Sequence, residues 1–166
     1  MGKDKKPYQY YNELGLPDDN GKLEGGASVW LVKRENNKTF ILFQERSLNV
    51  QNGGLYDSSA GGHIDEGEDP LTAALRETEE EIGLHLEPSE LRFVGSYATD
   101  KKHIYIYLSD RTEKQDNLIL EKDEVASVEW VALEDLDMFI RARVKPPLRE
   151  NSAHLPVLRA YIEKYL

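Results

Sequence analysis

The residues best suited to chemistry are three glutamates that a helix would carry close together. Glu77, Glu80 and Glu81 stand at positions i, i+3 and i+4 of an acidic run, so a helix presents them as neighbours. Like charges at this spacing repel one another, and a helix that needed only solubility would carry lysines among them. A divalent cation relieves the repulsion because hard cations take oxygen ligands. The spacing therefore predicts a metal site.

Glycines stand at both ends of this predicted helix. A turn that contains Gly61, Gly62 and Gly67 precedes it, and Gly83 follows its last apolar residue, where glycine commonly ends a helix. Small or apolar residues recur between them at the spacing of one buried helical face. They are Leu71, Ala74, Leu75, Thr78 and Ile82. We therefore predict a helix that packs through this face and presents its carboxylates on another.

Composition limits the classes of protein that fit this chain. Its 166 residues suit one domain with a substantial core. The net charge of −10 disfavours non-specific nucleic-acid binding, and the absence of cysteine excludes disulfides, thiolate metal sites and cysteine nucleophiles. The polar start of the chain does not resemble a signal peptide, and no apolar run reaches membrane-spanning length. We expect a cytoplasmic protein that binds neither nucleic acid nor membrane.

The segments on either side of the acidic helix predict the rest of the fold. We predict an N-terminal arm over residues 1–26 and a single domain over residues 27–166. Runs of β-branched and aromatic residues predict strands at 27–34, 39–46, 91–98, 103–109 and 125–132. Residues 56–61 are predicted as a short strand or an extended entry to the glycine-containing turn. Helices are predicted at 133–141 and at the end of the chain, the latter capped by Asn151 or Ser152. The sum is an α/β domain whose mixed sheet lies between helices.

Residues 62–84 resemble the Nudix box, which has the pattern G-x5-E-x7-R-E-U-x-E-E-x-G-U. Thr78 stands at the aliphatic position U and is the one loose match. The matching residues are Gly62, Glu68, Arg76, Glu77, Glu80, Glu81, Gly83 and Leu84. The chain is thus similar to the Nudix hydrolases, and the resemblance implies a Nudix-type α/β/α sandwich with a mixed sheet.

The resemblance also implies a chemistry, namely hydrolysis of a diphosphate linkage with Mg²⁺ or Mn²⁺ and water. Arg76 is implied to orient Glu77 through charge-assisted hydrogen bonds. The implied metal ligands are the Gly62 carbonyl and the side chains of Glu68, Glu77, Glu80 and Glu81. Metal ions of this kind neutralise the diphosphate and lower the pKa of bound water. We expect a Nudix pyrophosphohydrolase whose partner is a small-molecule diphosphate, such as a nucleoside diphosphate derivative.

The sequence leaves the general base open. Glu77 is one candidate, and Glu124 is another because it follows Glu121 and Asp123 immediately before a predicted strand. The competing interpretation of this second cluster is a solvated loop. Because a base must reach the proton that it removes, geometry has to decide between them.

Candidates for substrate binding stand on weaker patterns. Arg46 and Lys101 could meet phosphate, Tyr56 could stack on a base, and His63 adjoins Gly62. For each of them, surface solvation or core packing is the competing interpretation.

Two further classes of function stay open beside the hydrolase. Residues 41–47 and 55–62 resemble the branch related to isopentenyl-diphosphate isomerase, but that enzyme depends on a cysteine and this chain has none. A non-catalytic Nudix ligand-binding module is the other alternative, and the complete set of Glu77, Glu80 and Glu81 disfavours it. Nudix proteins are often dimers, so a homodimer is an option by analogy.

Overall fold

The computed structural model describes residues 7–110, 117–151 and 153–166 and contains one eight-stranded mixed sheet with helices on both faces. The strands are β1 (Tyr10–Tyr11), β2 (Leu23–Glu35), β3 (Lys38–Arg46), β4 (Tyr56–Asp57), β5 (Ala60–His63), β6 (Arg92–Ala98), β7 (Lys102–Ser109) and β8 (Val125–Ala132). The helices are α1 (Pro70–Ile82), α2 (Leu136–Arg143), α3 (Pro146–Arg149) and α4 (His154–Tyr165). The α/β fold class with a mixed sheet is therefore confirmed.

Strand β2 is the centre of the sheet. The main strand order is β4-β3-β2-β7-β6, while β1 and β5 also pair with β2 and β8 pairs with β3. β2 and β7 run parallel, and the other pairs named here are antiparallel. Because β5 pairs with the first half of β2, the chain enters α1 from the middle of the sheet.

Two apolar cores lie on the opposite faces of this sheet. Successive strand side chains point to opposite faces, so Val29 and Leu31 pack in the core under α1, whereas Trp30 and Val32 pack in the core under α2, α3 and α4. All four side chains are buried. This alternation holds α1 against one face and the C-terminal helices against the other.

The predicted N-terminal arm differs from the structure over its described part. β2 begins at Leu23, so the predicted boundary at residue 27 falls inside a strand, and β1 pairs with it. Tyr11 is buried, and a side chain at Gly25 would collide with its ring. The physical reason is that Gly25 and Gly26 have no side chains that could form the alternating apolar pattern of a strand. The ring of Tyr11 fills the space beside Gly25 instead.

The single segment predicted at 56–61 is two strands, since β4 pairs with β3 and β5 pairs with β2. The remaining strands agree with the predictions to within a few residues, and the end of the chain differs slightly. The helix predicted at 133–141 is a short 3₁₀ turn, Leu133–Asp135, followed by α2. Asn151 accepts hydrogen bonds from the backbone N–H groups of Ala153 and His154 at 2.9 Å, as predicted for a cap. Ser152, the other predicted cap, lies outside the described residues. In the described part of the chain, no helix is long and apolar enough to cross a membrane.

Candidate functional site

Local sequence sets both ends of α1. The Asp69 side chain accepts from the backbone N–H of Thr72 at 2.8 Å, and Pro70 occupies the first turn, as is typical of helix starts. Gly83 ends the helix in the left-handed conformation with a φ of 67°, and its N–H donates to the carbonyl of Glu79. These two caps fix where α1 begins and ends.

Small residues let α1 lie close to β5 and β2. Ala73, Ala74, Thr78 and Ile82 are fully buried. The Thr78 hydroxyl donates to the carbonyl of Ala74 at 2.7 Å, so this buried polar group is satisfied. Thr78, the one loose match to the Nudix box, therefore leaves no unpaired hydroxyl in the core.

The three glutamates of the helix differ in exposure, which corrects the prediction that they share one surface. The Glu80 side chain is 56% exposed and the Glu77 side chain 14%, while Glu81 lies on the buried side of the helix. Glu81 accepts from the backbone N–H of Gly61 at 2.7 Å and from the Gln44 amide at 3.4 Å. A rotation of 100° per residue carries Glu81 toward the sheet and leaves Glu80 at the rim.

Burial raises the pKa of two of these carboxyl groups. It raises the pKa of Glu77 to about 7, an effect that Arg76 opposes and that the charges of Glu80 and Glu124 reinforce. Burial also raises the pKa of Glu81, with further increases from Glu77, Glu124 and Asp57. A cation among these oxygens would favour their ionised forms. The donor chemistry of the site therefore fits a divalent metal ion.

Arg76 holds this group of carboxylates together. Its Nε and Nη2 donate to the two oxygens of Glu68 at 2.8 and 2.9 Å, and its Nη1 donates to Glu77 at 2.7 Å. Further bonds reach the carbonyl of His63 at 3.0 Å and Glu80 at 3.3 Å. The guanidinium lowers the pKa of Glu68 through these hydrogen bonds. Arg76 thus orients Glu77, as the box resemblance implies, while Glu68 is engaged by both its oxygens.

Gly62 leaves the space that the Glu77 carboxylate occupies. A Cβ atom built on Gly62 would lie 2.5 Å from the Cδ and Oε1 atoms of Glu77. No side chain fits there unless Glu77 moves, which is a physical reason for glycine at the start of the box. The predicted role of the Gly62 carbonyl as a metal ligand stays a prediction.

An acidic cleft of about 560 Å³ adjoins the helix. Its lining residues are Asn49, Val50, Glu80, Glu121, Asp123 and Glu124. The backbone N–H groups of Ile119 and Glu121 donate to the last carbonyls of α1 at 2.9 Å, and Ser47 donates to the Glu124 carbonyl at 2.9 Å. These bonds place Glu124 beside the box, so the structure brings together the two candidates for the general base.

The substrate-binding prediction for Tyr56 is wrong. Its side chain is 4% exposed, its ring packs edge-on against Phe139, and the Arg143 guanidinium covers it at 4.7 Å. Its hydroxyl donates to Glu45 at 3.1 Å. No ring face is free for a base, because Tyr56 belongs to the core under α2.

The other three predicted substrate residues do not line the acidic cleft. Arg46 pairs with Asp57 at 3.1 Å. His63 stacks on Tyr8 with ring centroids 4.2 Å apart and lies 3.3 Å from Glu24, so its ring is directed toward the N-terminal residues. Lys101 is exposed in the turn between β6 and β7. The roles of these residues in binding stay predictions.

The described residues hold no preformed cluster of three or more His, Asp or Glu side chains suited to a metal ion. The hydrogen bonds explain this arrangement: Glu77 is turned to Arg76, and Glu81 is turned to the N–H of Gly61. Both carboxylates keep a second oxygen, and a carboxylate has about four acceptor sites. Metal ligation would therefore require reorientation of these side chains.

Sequence analysis missed a buried polar network around His154. The indole N–H of Trp30 donates to Nε2 of His154 at 2.9 Å. An indole only donates, so the proton resides on Nδ1, which faces the Tyr97 hydroxyl at 2.9 Å. Burial lowers the pKa of His154 to about 4. No local pattern could have revealed this network, because its members come from β2, β6 and α4.

Comparisons with known proteins give one family. The NUDIX domain is matched by residues 22–155. An uncharacterised Nudix hydrolase of Clostridium acetobutylicum is 30% identical over 135 residues, which are 76% of this chain and 65% of that protein. The chain therefore spans less than two thirds of this curated relative.

Solved structures show the same fold at lower identity. The crystal structure of DR0079 from Deinococcus radiodurans is similar with a TM-score of 0.70 and 20% identity, over 93% of this chain and 98% of that one. A C. elegans Ap4A hydrolase in a binary complex is similar with a TM-score of 0.59 and 19% identity, over 86% of this chain and all of that one. At such identities the likeness establishes the fold alone.

Proposed function

Because this chain belongs to the NUDIX domain family, we propose that it is a Mg²⁺- or Mn²⁺-dependent hydrolase of diphosphate linkages. Its substrate would be a nucleoside diphosphate derivative or a similar organic diphosphate. The cytoplasmic location and the homodimer stay predictions from the sequence.

The observation that carries this proposal is the group of carboxylates on α1, of which Glu81 is buried, Glu77 is largely buried and Glu80 lines the acidic cleft. Burial of like charges is costly unless a counter-charge compensates it. Arg76 compensates Glu77, whereas Glu81 accepts hydrogen bonds from two neutral donors, the N–H of Gly61 and the amide of Gln44. Burial raises the pKa of Glu81, and a divalent cation would supply the positive charge that keeps this carboxyl ionised.

The chain's own residues have distinct roles in the proposed reaction. Glu77, Glu80 and Glu81 would hold the cation, which supplies charge neutralisation at the diphosphate and a more acidic water. Arg76 keeps the Glu77 carboxylate in one orientation. Glu124 is exposed at the cleft, and we assign its carboxylate as the acceptor of the proton from the attacking water.

The choice of substrates to test first follows from the relatives. A C. elegans structure similar to this chain is that of an Ap4A hydrolase, so dinucleoside polyphosphates belong in the panel. Nucleoside triphosphates, nucleoside diphosphate sugars and isoprenoid diphosphates complete it, because each contains a diphosphate linkage. Release of phosphate, with a coupling phosphatase where needed, reports every reaction.

The first experiment screens this panel with Mg²⁺ for the wild-type chain and for Glu80→Gln. We expect turnover that EDTA abolishes and excess Mg²⁺ or Mn²⁺ restores. Glu80→Gln should lower turnover by at least about a hundredfold, the upper end of the range for residues that only orient metal ligands, because it removes the charge of a proposed ligand with little change in volume.

The matched control is Glu79→Gln on the next position of the same helix. Glu79 is exposed and lies 3.3 Å from His85, away from the cleft residues, so its substitution should leave turnover unchanged. Undiminished turnover in fully chelated protein would contradict the proposed chemistry, and equal activity of the two variants would contradict the proposed metal site.

A further inference from the structure

One carboxylate at the edge of the sheet holds two cations. Asp57 Oδ2 lies 3.1 Å from Nη1 of Arg46 and 2.6 Å from Nζ of Lys145. The side chains are largely buried, with exposed fractions of 23% for Arg46, 16% for Asp57 and 23% for Lys145. Among the described residues, Asp57 is the only carboxylate that pairs with either cation. The Arg46–Asp57–Lys145 cluster therefore carries one excess positive charge in a chain whose net charge is −10.

This cluster lies one side chain away from the candidate metal site. Asp57 is directly opposite Gln44 in the antiparallel pairing of β3 with β4, so the two side chains share a face and lie roughly 5 Å apart at Cβ. Gln44 in turn donates to Glu81 at 3.4 Å. A path from Glu81 through Gln44 to Asp57 thus joins the acidic site to the cationic one.

Different parts of the chain deliver the two cations to this place. Arg46 ends β3, two residues after Gln44, and its Nε donates to the carbonyl of Gln51 at 2.6 Å. Lys145 follows α2 and donates its backbone N–H to the carbonyl of Tyr56 at 2.9 Å, which extends the sheet edge beyond β4. The fold therefore positions both cations through backbone contacts that do not depend on Asp57.

We propose that Arg46 and Lys145 form a binding site for a phosphate group of the substrate, and that Asp57 occupies these cations until the phosphate replaces it. This inference rests on the proposed function, because it places the distal part of the diphosphate beside the metal site. An arginine supplies a planar fork of donors and a lysine a compact charge, and both bind phosphate oxygens well. A phosphate offers more acceptor oxygens and more charge than one carboxylate.

The competing interpretation is an ionic contact that only stabilises the fold. Arg46 donates to the carbonyl of Gln51, which lies in the loop that supplies Asn49 and Val50 to the acidic cleft. Its pairing with Asp57 could therefore serve to hold this loop in place. A carboxylate has about four acceptor sites, so a structural contact could also include two cations. A phosphate site requires, in addition, an excess of positive charge, and the second cation supplies it.

Two substitutions of opposite charge distinguish these interpretations. Lys145→Met removes a cation and should weaken binding of inorganic pyrophosphate roughly tenfold. Asp57→Asn removes the negative charge that competes with the ligand and should tighten pyrophosphate binding several-fold. The Ser58 N–H, which donates to Asp57 at 2.7 Å, can still donate to the amide oxygen of the asparagine. Binding to the full chain is followed by NMR titration in EDTA, so that neither turnover nor a metal ion contributes.

Controls separate local charge from general effects. Lys38→Met removes the same charge from the other end of β3, where Lys38 pairs with Glu134 at 2.8 Å, and it should leave pyrophosphate binding unchanged. Thermal unfolding of each variant reports stability, and Lys145→Gln replaces Lys145→Met if the latter does not fold. Once a substrate is known, Lys145→Met should raise KM with little change in kcat.

The proposal predicts that the two substitutions change pyrophosphate binding in opposite directions, which makes the test decisive. A structural contact predicts that both substitutions destabilise the fold and that neither tightens binding, so weaker or unchanged binding in Asp57→Asn would overturn the proposal. Because the titration needs no turnover, failure of the phosphate site is distinguishable from failure of the proposed hydrolase. Turnover with no change in KM or in pyrophosphate binding for Lys145→Met would overturn the phosphate site alone.

Discussion

At the residue scale, the geometry of the candidate site depends on the shape of one guanidinium. Arg76 contacts Glu68 through two nitrogens and Glu77 through a third, while it also reaches the carbonyl of His63. A lysine has the same charge but presents it at a single point and cannot make these contacts at once. The orientation of Glu77 therefore depends on the planar fork as well as on the charge.

Arg76→Lys tests this dependence. We expect turnover of a substrate identified in the screen to fall roughly tenfold to a hundredfold, since residues that orient metal ligands have effects of this size. The matched control is Arg159→Lys on α4, where Arg159 pairs with Asp137 at 2.9 Å far from the box. Equal kcat values for Arg76→Lys and the wild-type chain would show that charge alone is sufficient.

At the element scale, the end of α1 supports the cleft. Gly83 ends the helix with a φ of 67°, and a Cβ atom there would lie 2.7 Å from Cβ of Ile119. Ile119 belongs to the segment that leads to Glu121 and Glu124 and bonds to the last carbonyls of α1. The glycine therefore serves two purposes, a left-handed cap and a close approach of this segment.

Comparison of Gly83→Ala with Gly67→Ala separates these two effects. Gly67 has a φ of 80° and nothing within 4 Å of a built Cβ, so its substitution should lower the free energy of unfolding by about 1 kcal/mol through backbone strain alone. Gly83→Ala adds a clash and should cost about 2–3 kcal/mol. Urea denaturation measures both values, and similar losses would mean that Ile119 yields without cost.

At the scale of the whole molecule, His154 joins the C-terminal helix to the sheet. Its ring links α4 to Trp30 in β2 and to Tyr97 in β6. The Trp30 bond needs an unprotonated Nε2, and burial lowers the pKa of His154 to about 4. The sign of the pH effect follows, because the unfolded chain binds a proton near pH 6.5 that the folded chain does not.

The contribution of His154 to stability should therefore be complete above pH 6.5 and should fall as the pH is lowered toward 4. The contribution of His154 over this window is about 3 kcal/mol. Asp57 raises and Lys145 lowers the same pKa, so neither alone sets it. Denaturation of the wild-type chain and of His154→Gln at several pH values gives the test. Parallel pH profiles for the two proteins would contradict this role of the histidine.

Local periodicity made the core of the candidate site predictable. The spacing of Glu77, Glu80 and Glu81 and the glycines around them depend on residues close in sequence, which a helix and its caps arrange without help from the rest of the chain. The strands were predictable for the same reason, because side-chain alternation is local. Prediction failed at Tyr56, since an aromatic residue at a strand end gives no sign of which core will take it.

By itself, the sequence determined the family, the fold class and the order of the acidic residues along one helix. Only the tertiary structure decided that Glu81 is buried while Glu80 is exposed, that Glu124 stands beside the box, and that Lys145 joins Arg46 at Asp57. The physical reason is range. Caps and periodicity act over a few residues, whereas burial, charge and pKa depend on neighbours that only the folded chain brings together.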